Sequence, residues 1–361
     1  MWKVETGDVF RYLFVTDMFL SDVFEWLKKN TTKDMKEIQE NLMEDTSLLG
    51  NLANDLETLF HVLLDLVSHE KIDEVIAAYE AMEKDYFTFL TAGANTIKLS
   101  DDANELVEKA FSYFYKDLLT RQAFWKSYNN GNKNFSTSKF REEMGRIRPV
   151  CPYCDAAKVH YYKQSNSDHF LAYSHFPFLS IHWGNLVVSC LGCNLYVKND
   201  KFIGTKDGVP SFIPIFHPYF HEAASYINFN FDNDLNITIE RTADTRVLNY
   251  LDLFELENAY KGAHHDVKSL WEEIEKDILD KYVNYQNIET ESEVDKLKRI
   301  YIDTIKKQKN KAEGSKGVVM YTKLFLDLCD FKLCEDEMSK QLLFLQKTLG
   351  ITTATSESVP K

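Results

Sequence analysis

A chain of 361 residues, 44% of them hydrophobic and 14% aromatic, is long enough for two or three domains with buried cores and too apolar to be disordered or fibrous. No stretch approaches the length of a membrane span, and Glu5 and Asp8 interrupt the start where a secretory leader would need an unbroken apolar run, so a soluble cytoplasmic protein with no membrane partner is expected. The net charge of −14 argues against a nucleic-acid ligand for the chain as a whole, because affinity for phosphates comes mainly from Lys and Arg.

Residues 1–125 read as an acidic helical domain, with 9 basic against 19 acidic residues in the first hundred. Leu56, Leu59, Phe60, Leu63 and Val67 fall on one helical stripe, and so do Val107, Phe111, Phe114 and Leu118. The Gly/Asn-rich stretch 128–138 reads as a linker or surface loop and sets a boundary near it. Charge then reverses. Residues 116–206 hold 13 basic against 6 acidic residues, net +7, which points to polyanion binding by a central module spanning 126–240. Toward the end of that module Pro214 and Pro218 break the chain, and residues 226–241 alternate around an Asp-Asn-Asp turn as a β-hairpin does. From about Leu253 the pattern returns to helix, giving a helical C-terminal region over 241–361, apolar-striped from Val318 to Leu349 and closed by a Ser/Thr tail.

Four of the six cysteines form two Cys-x-x-Cys pairs, Cys151 with Cys154 and Cys190 with Cys193, thirty-five residues apart. Each such turn presents two thiolates, and four thiolates close a tetrahedral shell around zinc, leaving no position for substrate. The expected zinc is therefore structural, in a reducing compartment. Cys329 and Cys334 read as buried thiols on the last helix.

Between and just after the two pairs lie Asp168, His169, Asn185, Asn194 and Lys198, polar groups set in an apolar, aromatic run. Asn194 and Lys198 share a face if that segment is helical. The order Asp-His, then Asn-Leu-Val, then Cys-x-x-Cys-Asn with a downstream lysine resembles the zinc-bearing HNH nucleases of the ββα-metal class, with eight residues between Asn185 and Asn194. More narrowly, Cys-Pro-Tyr-Cys, Asp-His-Phe and the later His-Pro-Tyr-Phe-His are similar to the HNH subunits of bacterial anti-phage systems, Septu-type or retron-associated, which work beside an ATPase. Ala172 and Tyr173 depart from that pattern, standing where such proteins often carry Pro and Lys. The resemblance covers about residues 140–235. It implies a central ββα-metal module and an endonuclease that hydrolyses DNA, and with the helical flanks read from periodicity the expected fold is α+β, mostly α. It also implies that Asn185 ties down the loop and orients the histidine, and that Lys198 contacts phosphate.

The chemistry also follows from the residue types. Cleaving a phosphodiester requires a base for water and a cation for the charge that develops on phosphate. His169, titrating near neutrality, suits the base, while Asp168 and Asn194 offer hard oxygens to Mg²⁺ or Mn²⁺. Adjacent residues on a strand point oppositely, so the strand is expected to end at this pair or its two side chains to serve different sides of the phosphate. His175 and His182 are expected to pack or hydrogen-bond, and His217 and His221 are separated from helical pattern by Pro218 and do not read as a metal pair. The acidic flanks suit docking on a basic partner such as the ATPase. The alternatives are an inactive zinc module that binds nucleic acid or protein, and a stand-alone restriction-type endonuclease.

Overall fold

The computed structural model of the chain describes residues 1–5, 10–91, 99–129, 137–160, 163–174, 176–201, 205–206, 209–210, 214–285 and 291–351. Helix dominates, and strand among the described residues is confined to three short antiparallel pairs, an α+β composition that is mostly α. Two compact units emerge, one of residues 1–223 with 242–254 and one of residues 224–241 with 255–361. No helix among the described residues is long and apolar enough to cross a membrane.

The first unit runs α1 (Phe10–Asn30), α2 (Met35–Glu44), α3 (Leu48–Asp55), α4 (Glu57–Ser68), α5 (Ile72–Thr91), α6 (Asp101–Lys116), α7 (Gln122–Tyr128), α8 (Thr137–Ile147), β1 (Ser165–His169), β2 (Leu186–Cys190), β3 (Thr205–Lys206), β4 (Val209–Pro210) and α9 (Thr245–Leu253). Asp34 and Ser47 start α2 and α3 by accepting hydrogen bonds from backbone amides of the first turn, which would otherwise lack partners. The stripes expected on two helices are the faces that bury. Leu59, Leu63 and Val67 of α4 are buried, as are Val107, Phe111 and Phe114 of α6, with Leu118 in the 3₁₀ turn that follows.

The three-segment division read from the sequence differs from these units, and an aromatic cluster is the reason. Phe19 of α1 meets Phe114, Phe124 and Tyr128 edge-on at 5.1, 5.4 and 5.5 Å, and Phe24 lies flat on Tyr79 at 3.6 Å. Phe178, which lies between β1 and β2, packs edge-on against Phe111 at 5.4 Å. The N-terminal helices therefore share one core with the cysteine-bearing segment, and α7 runs straight through residue 125 with Trp125 buried. Residues 130–136 of the expected linker lie outside the described residues, and α8 begins at Thr137.

β1 and β2 pair antiparallel with Asp168 opposite Val187 and His169 opposite Leu186. β1 ends at His169, one of the two outcomes expected for that pair. A seven-residue π-helix, Gly192–Lys198, follows β2 directly.

The second unit holds β5 (Phe229–Phe231) and β6 (Ile237–Ile239), the expected hairpin, and α10 (Leu256–Lys261), α11 (His264–Asn284), α12 (Glu293–Glu313), α13 (Thr322–Leu333) and α14 (Glu335–Leu349). Asp327 of α13 accepts the amide of Phe229 at 2.8 Å, and Phe229 packs on Tyr260 at 4.4 Å. Lys332 is buried against Trp271 and ion-paired to buried Glu337 at 2.6 Å, a partner that a buried ammonium requires. The cysteine expectation needs correction here. Cys329 is buried but on α13, and Cys334 is exposed at the α13–α14 junction, where the chain leaves one helix for the next. The expected Ser/Thr tail, from 352 on, lies outside the described residues.

Candidate functional site

The Cys-x-x-Cys turns fold as the local spacing dictates. Cys151 donates its amide to the Ala157 carbonyl at 2.8 Å, and Asp155, at φ 57°, turns the chain and donates to Cys151 at 3.0 Å. Backbone amides also point at sulfur: Ala156 at Cys154, Cys190 at Cys151 and Cys193 at Cys190, each at 3.4 Å. The four buried Sγ atoms lie within 4.8 Å of one another and could hold one metal ion. Burial opposes ionisation of the Cys151 thiol. Hydrogen bonds from the other three cysteines and the Cys190 amide outweigh it and hold the group well below its ordinary pKa. An all-sulfur donor set of this kind is compatible with zinc.

The surrounding chain braces these turns. The Tyr250 hydroxyl on α9 donates to the Tyr153 carbonyl at 2.8 Å, and the Met1 ammonium donates to the Pro152 carbonyl. On α8, a Cβ at Gly145 would come 2.7 Å from the Val159 carbonyl oxygen, so glycine lets the helix lie directly on the first turn.

His169 sits half-buried at the end of β1. Its Nε2 lies 2.8 Å from the Ser180 carbonyl oxygen. A carbonyl can only accept, so Nε2 carries the proton and Nδ1 keeps its lone pair, with no protein partner among the described residues. The Ser180 hydroxyl donates to Phe111 of α6 at 3.5 Å, and the Tyr115 ring on the same helix packs against the imidazole at 4.5 Å. Helix α6 thus sets both the ring plane and its anchor. Burial, with a smaller effect from the Lys198 charge, pushes His169 down to about 4, below the near-neutral titration expected from its residue type, so the ring is neutral at pH 7.

Asn185 is fully buried and wholly engaged with backbone. Its amide donates to the carbonyls of Leu171 at 3.0 Å and Leu179 at 3.1 Å, while its Oδ1 accepts from the Leu171 amide at 2.8 Å. It therefore positions the loop that carries Ser180 and touches no substrate. Asn185→Ala would leave three buried backbone groups without partners, and a loss of about 3–5 kcal/mol is expected in chemical denaturation, at about 1–3 kcal/mol per stranded group with partial relaxation.

Asp168 and Lys198 meet in a buried ion pair, 2% and 1% exposed at their side chains. The ammonium lies 2.9 Å from Asp168 Oδ1, and the Tyr153 hydroxyl donates to Oδ2 at 2.7 Å. Burial raises the Asp168 carboxyl above its ordinary pKa, against the pull of Lys198 and Tyr153. Lys198 also donates to the His169 carbonyl at 2.7 Å. Fully buried, it does not offer its charge to a phosphate at the surface, and this differs from the role implied by resemblance. Asn194 is buried at the second turn and shares no hydrogen bond with Asp168 among the described residues. With both carboxylate oxygens taken, one of them by a cation, Asp168 and Asn194 as arranged do not fit a divalent ion.

Tyr153, Ser180 and Tyr115 were not singled out in the sequence. Tyr153 had a signal, its place between the first two cysteines, whereas Ser180 acts through its carbonyl and Tyr115 comes from a distant helix. Around His169, Tyr173 lies 5.4 Å away, ring to ring, and Lys116 sits 5.9 Å from the centre of the Tyr173 ring. Arg148 and Lys198 are buried, so part of the central positive charge never reaches the surface. His182 caps the Gly184 amide and approaches Asp17 at 3.8 Å, and His221 Nδ1 accepts from the His217 amide at 3.0 Å. His175 lies outside the described residues.

His217 carries a pH expectation. Its ring packs on Phe170 at 4.3 Å, and burial, with His221 adding to it, pushes its pKa down to about 3. An unfolded histidine titrates near 6.5, so the unfolded chain binds more protons between those values. The contribution is complete above about pH 6.5 and falls as pH drops toward 3, roughly 2 kcal/mol of it being gone by pH 5. Melting temperature should fall between pH 7 and 5, and His217→Gln should flatten that slope. An unchanged slope would show that the ring takes up its proton without cost.

A half-open cavity of about 380 Å³ in the second unit is lined mainly by apolar side chains, among them Val267, Leu270, Leu324 and Phe325. Among the described residues the four cysteines are the one cluster of three or more His, Cys, Asp or Glu groups that could hold a metal ion. Compared with protein-family models, with curated proteins and with solved structures, the chain matches none of them.

Proposed function

We propose that this chain is a zinc-braced nuclease of the ββα type that hydrolyses phosphodiester bonds in DNA, with His169 as its general base. The observation that carries the reading is the histidine itself: a neutral imidazole whose Nε2–H is fixed on the Ser180 carbonyl and whose Nδ1 is left open. The strand–strand–helix order of β1, β2 and Gly192–Lys198, braced by the cysteine cluster, adds to it. Nδ1 takes a proton from water as the oxygen attacks phosphorus, and the Ser180 carbonyl stabilises the imidazolium that forms. The P–O3′ bond breaks in the same displacement and the leaving 3′-oxygen takes a proton from solvent, so cleavage leaves a 5′-phosphate and a 3′-hydroxyl. In this reading Lys116, 5.9 Å from the centre of the Tyr173 ring, contacts a phosphate on the histidine side of the site. The acidic N-terminal hundred residues suit docking on a basic partner, and an ATPase subunit of an anti-phage complex is the partner that the sequence resemblance favours.

The test is incubation of supercoiled plasmid with wild type and His169→Ala, with and without Mg²⁺ or Mn²⁺. Nicking by wild type and its loss in the variant are expected, and equal rates for the two would remove His169 from the chemistry. A second reading, a non-enzymatic zinc module that binds nucleic acid or a partner protein, is favoured by one observation: the carboxylate expected to take a divalent ion is already closed by Lys198. That reading expects no cleavage under any metal condition.

A further inference from the structure

We propose that the cavity in the second unit binds a small zwitterion with an apolar body, a free α-amino acid that bears a large hydrophobic side chain. The inference is independent of the nuclease reading and concerns residues that the nuclease site does not use.

The cavity is lined from α11, α12 and α13 and measures about 380 Å³. Packed interiors hold few voids larger than a water molecule, whereas sites for small molecules begin at about 300 Å³. Leu270 of α11, Ala312 of α12, and Leu324 and Phe325 of α13 form an apolar wall that offers a ligand no side-chain hydrogen bond. Two polar side chains in the lining are already committed to backbone. The Thr322 hydroxyl donates to the Val319 carbonyl at 2.6 Å, and the Ser315 hydroxyl to the Lys311 carbonyl at 2.9 Å. Three others are not: the side chains of Asp266, Gln308 and Lys311 make no hydrogen bond or ion pair among the described residues.

Charge then narrows the ligand. Gln308 and Lys311 stand three residues apart on one face of α12, and Asp266 stands in the first turn of α11. Asp266 and Lys311 are exposed and line the same space without pairing with each other. A purely apolar ligand would use neither charge. A fatty acid would satisfy Lys311 while bringing its carboxylate toward Asp266, and an aliphatic amine would do the reverse. A ligand with both charges at one end meets Lys311 and Gln308 with its carboxylate and Asp266 with its ammonium, and its side chain covers the apolar wall.

The test is titration calorimetry on the full-length, zinc-loaded protein without DNA, with L-tryptophan, L-phenylalanine and L-leucine as probes. Binding of at least one of them at a single site per chain is expected. For L-tryptophan three analogues keep the ring and lose charge: tryptamine lacks the carboxylate, indole-3-propionate the ammonium, and N-acetyl-L-tryptophanamide both. Each should bind more weakly by about fivefold, the upper range for an ion pair open to solvent, and Lys311→Gln and Asp266→Asn should each weaken the amino acid by about as much. Val319 lines the cavity yet is 54% exposed, so Val319→Trp fills the space without disturbing the core. It should abolish binding with an unchanged melting transition. Indole-3-propionate bound as tightly as L-tryptophan would make the cavity a seat for an apolar anion and overturn the proposal. Equal binding of the N-acetyl amide would make it a seat for a partner protein's side chain, with the same consequence. Absence of binding by all three amino acids at millimolar concentration, or binding that Val319→Trp leaves intact, also overturns it. Neither result depends on plasmid cleavage, so the nuclease reading stands or falls separately.

Discussion

Cys190→Ser is expected to cost the first unit its stability, together with its metal. The four thiols are held by two turns far apart in sequence, and between them runs a segment whose regular structure, among the described residues, is limited to β1, β2 and short 3₁₀ turns. Few helical hydrogen bonds support that segment, so the cluster and the aromatic core around Phe178 hold it. The binding free energy of a structural metal is also folding free energy, about 10–16 kcal/mol for small zinc modules. Here the N-terminal helices share a core with that segment and help to hold it, so a smaller loss of about 5 kcal/mol is expected. At about 2–4 °C per kcal/mol for a unit of this size, the melting transition should drop by roughly 10–20 °C. Calorimetry with elemental analysis checks this. Zinc near one per chain in wild type and its loss in Cys190→Ser should accompany the drop, and an unchanged transition in a zinc-free variant would show that the cysteines do not brace the fold.

The largest expected effect on activity is that of His169→Ala, a loss of about 100- to 10,000-fold in plasmid cleavage with zinc content and melting temperature retained. Retention follows from the contacts. The ring makes one hydrogen bond, to the Ser180 carbonyl, and its Nδ1 makes none within the described residues. Asn185 holds the loop independently, through Leu171 and Leu179, so Ser180 and the end of β1 stay in place without the imidazole. A variant that cuts as fast as wild type would move the base elsewhere. A variant that loses zinc as well would make the histidine a structural residue.

Local pattern determined much of this protein. Two Cys-x-x-Cys pairs predict a four-thiol cluster because each turn is short enough to fix its own pair, and the structure brings all four sulfurs together. The stripes on α4 and α6 and the hairpin of β5 and β6 are periodicities of 3.6 and 2, set by the backbone wherever one face must bury. For Asn185 the residue types alone read a turn after Gly184, and the loop-tying role came only as what the resemblance implies; its amide is bonded to the Leu171 and Leu179 backbone.

Contacts between distant segments decided the rest. Nothing near His169 in sequence names Tyr115 or marks Phe111 as the acceptor for Ser180; both arrive because α6 packs across the loop between β1 and β2. That same packing merges the acidic N-terminal helices with the cysteine segment, where a change in composition had suggested separate domains. Charge composition records solubility and fields, whereas domain limits follow from which apolar faces meet. The fate of Lys198 was the least legible. Its ammonium pairs with the buried carboxylate of Asp168, thirty positions earlier, and no local pattern names a partner at that distance.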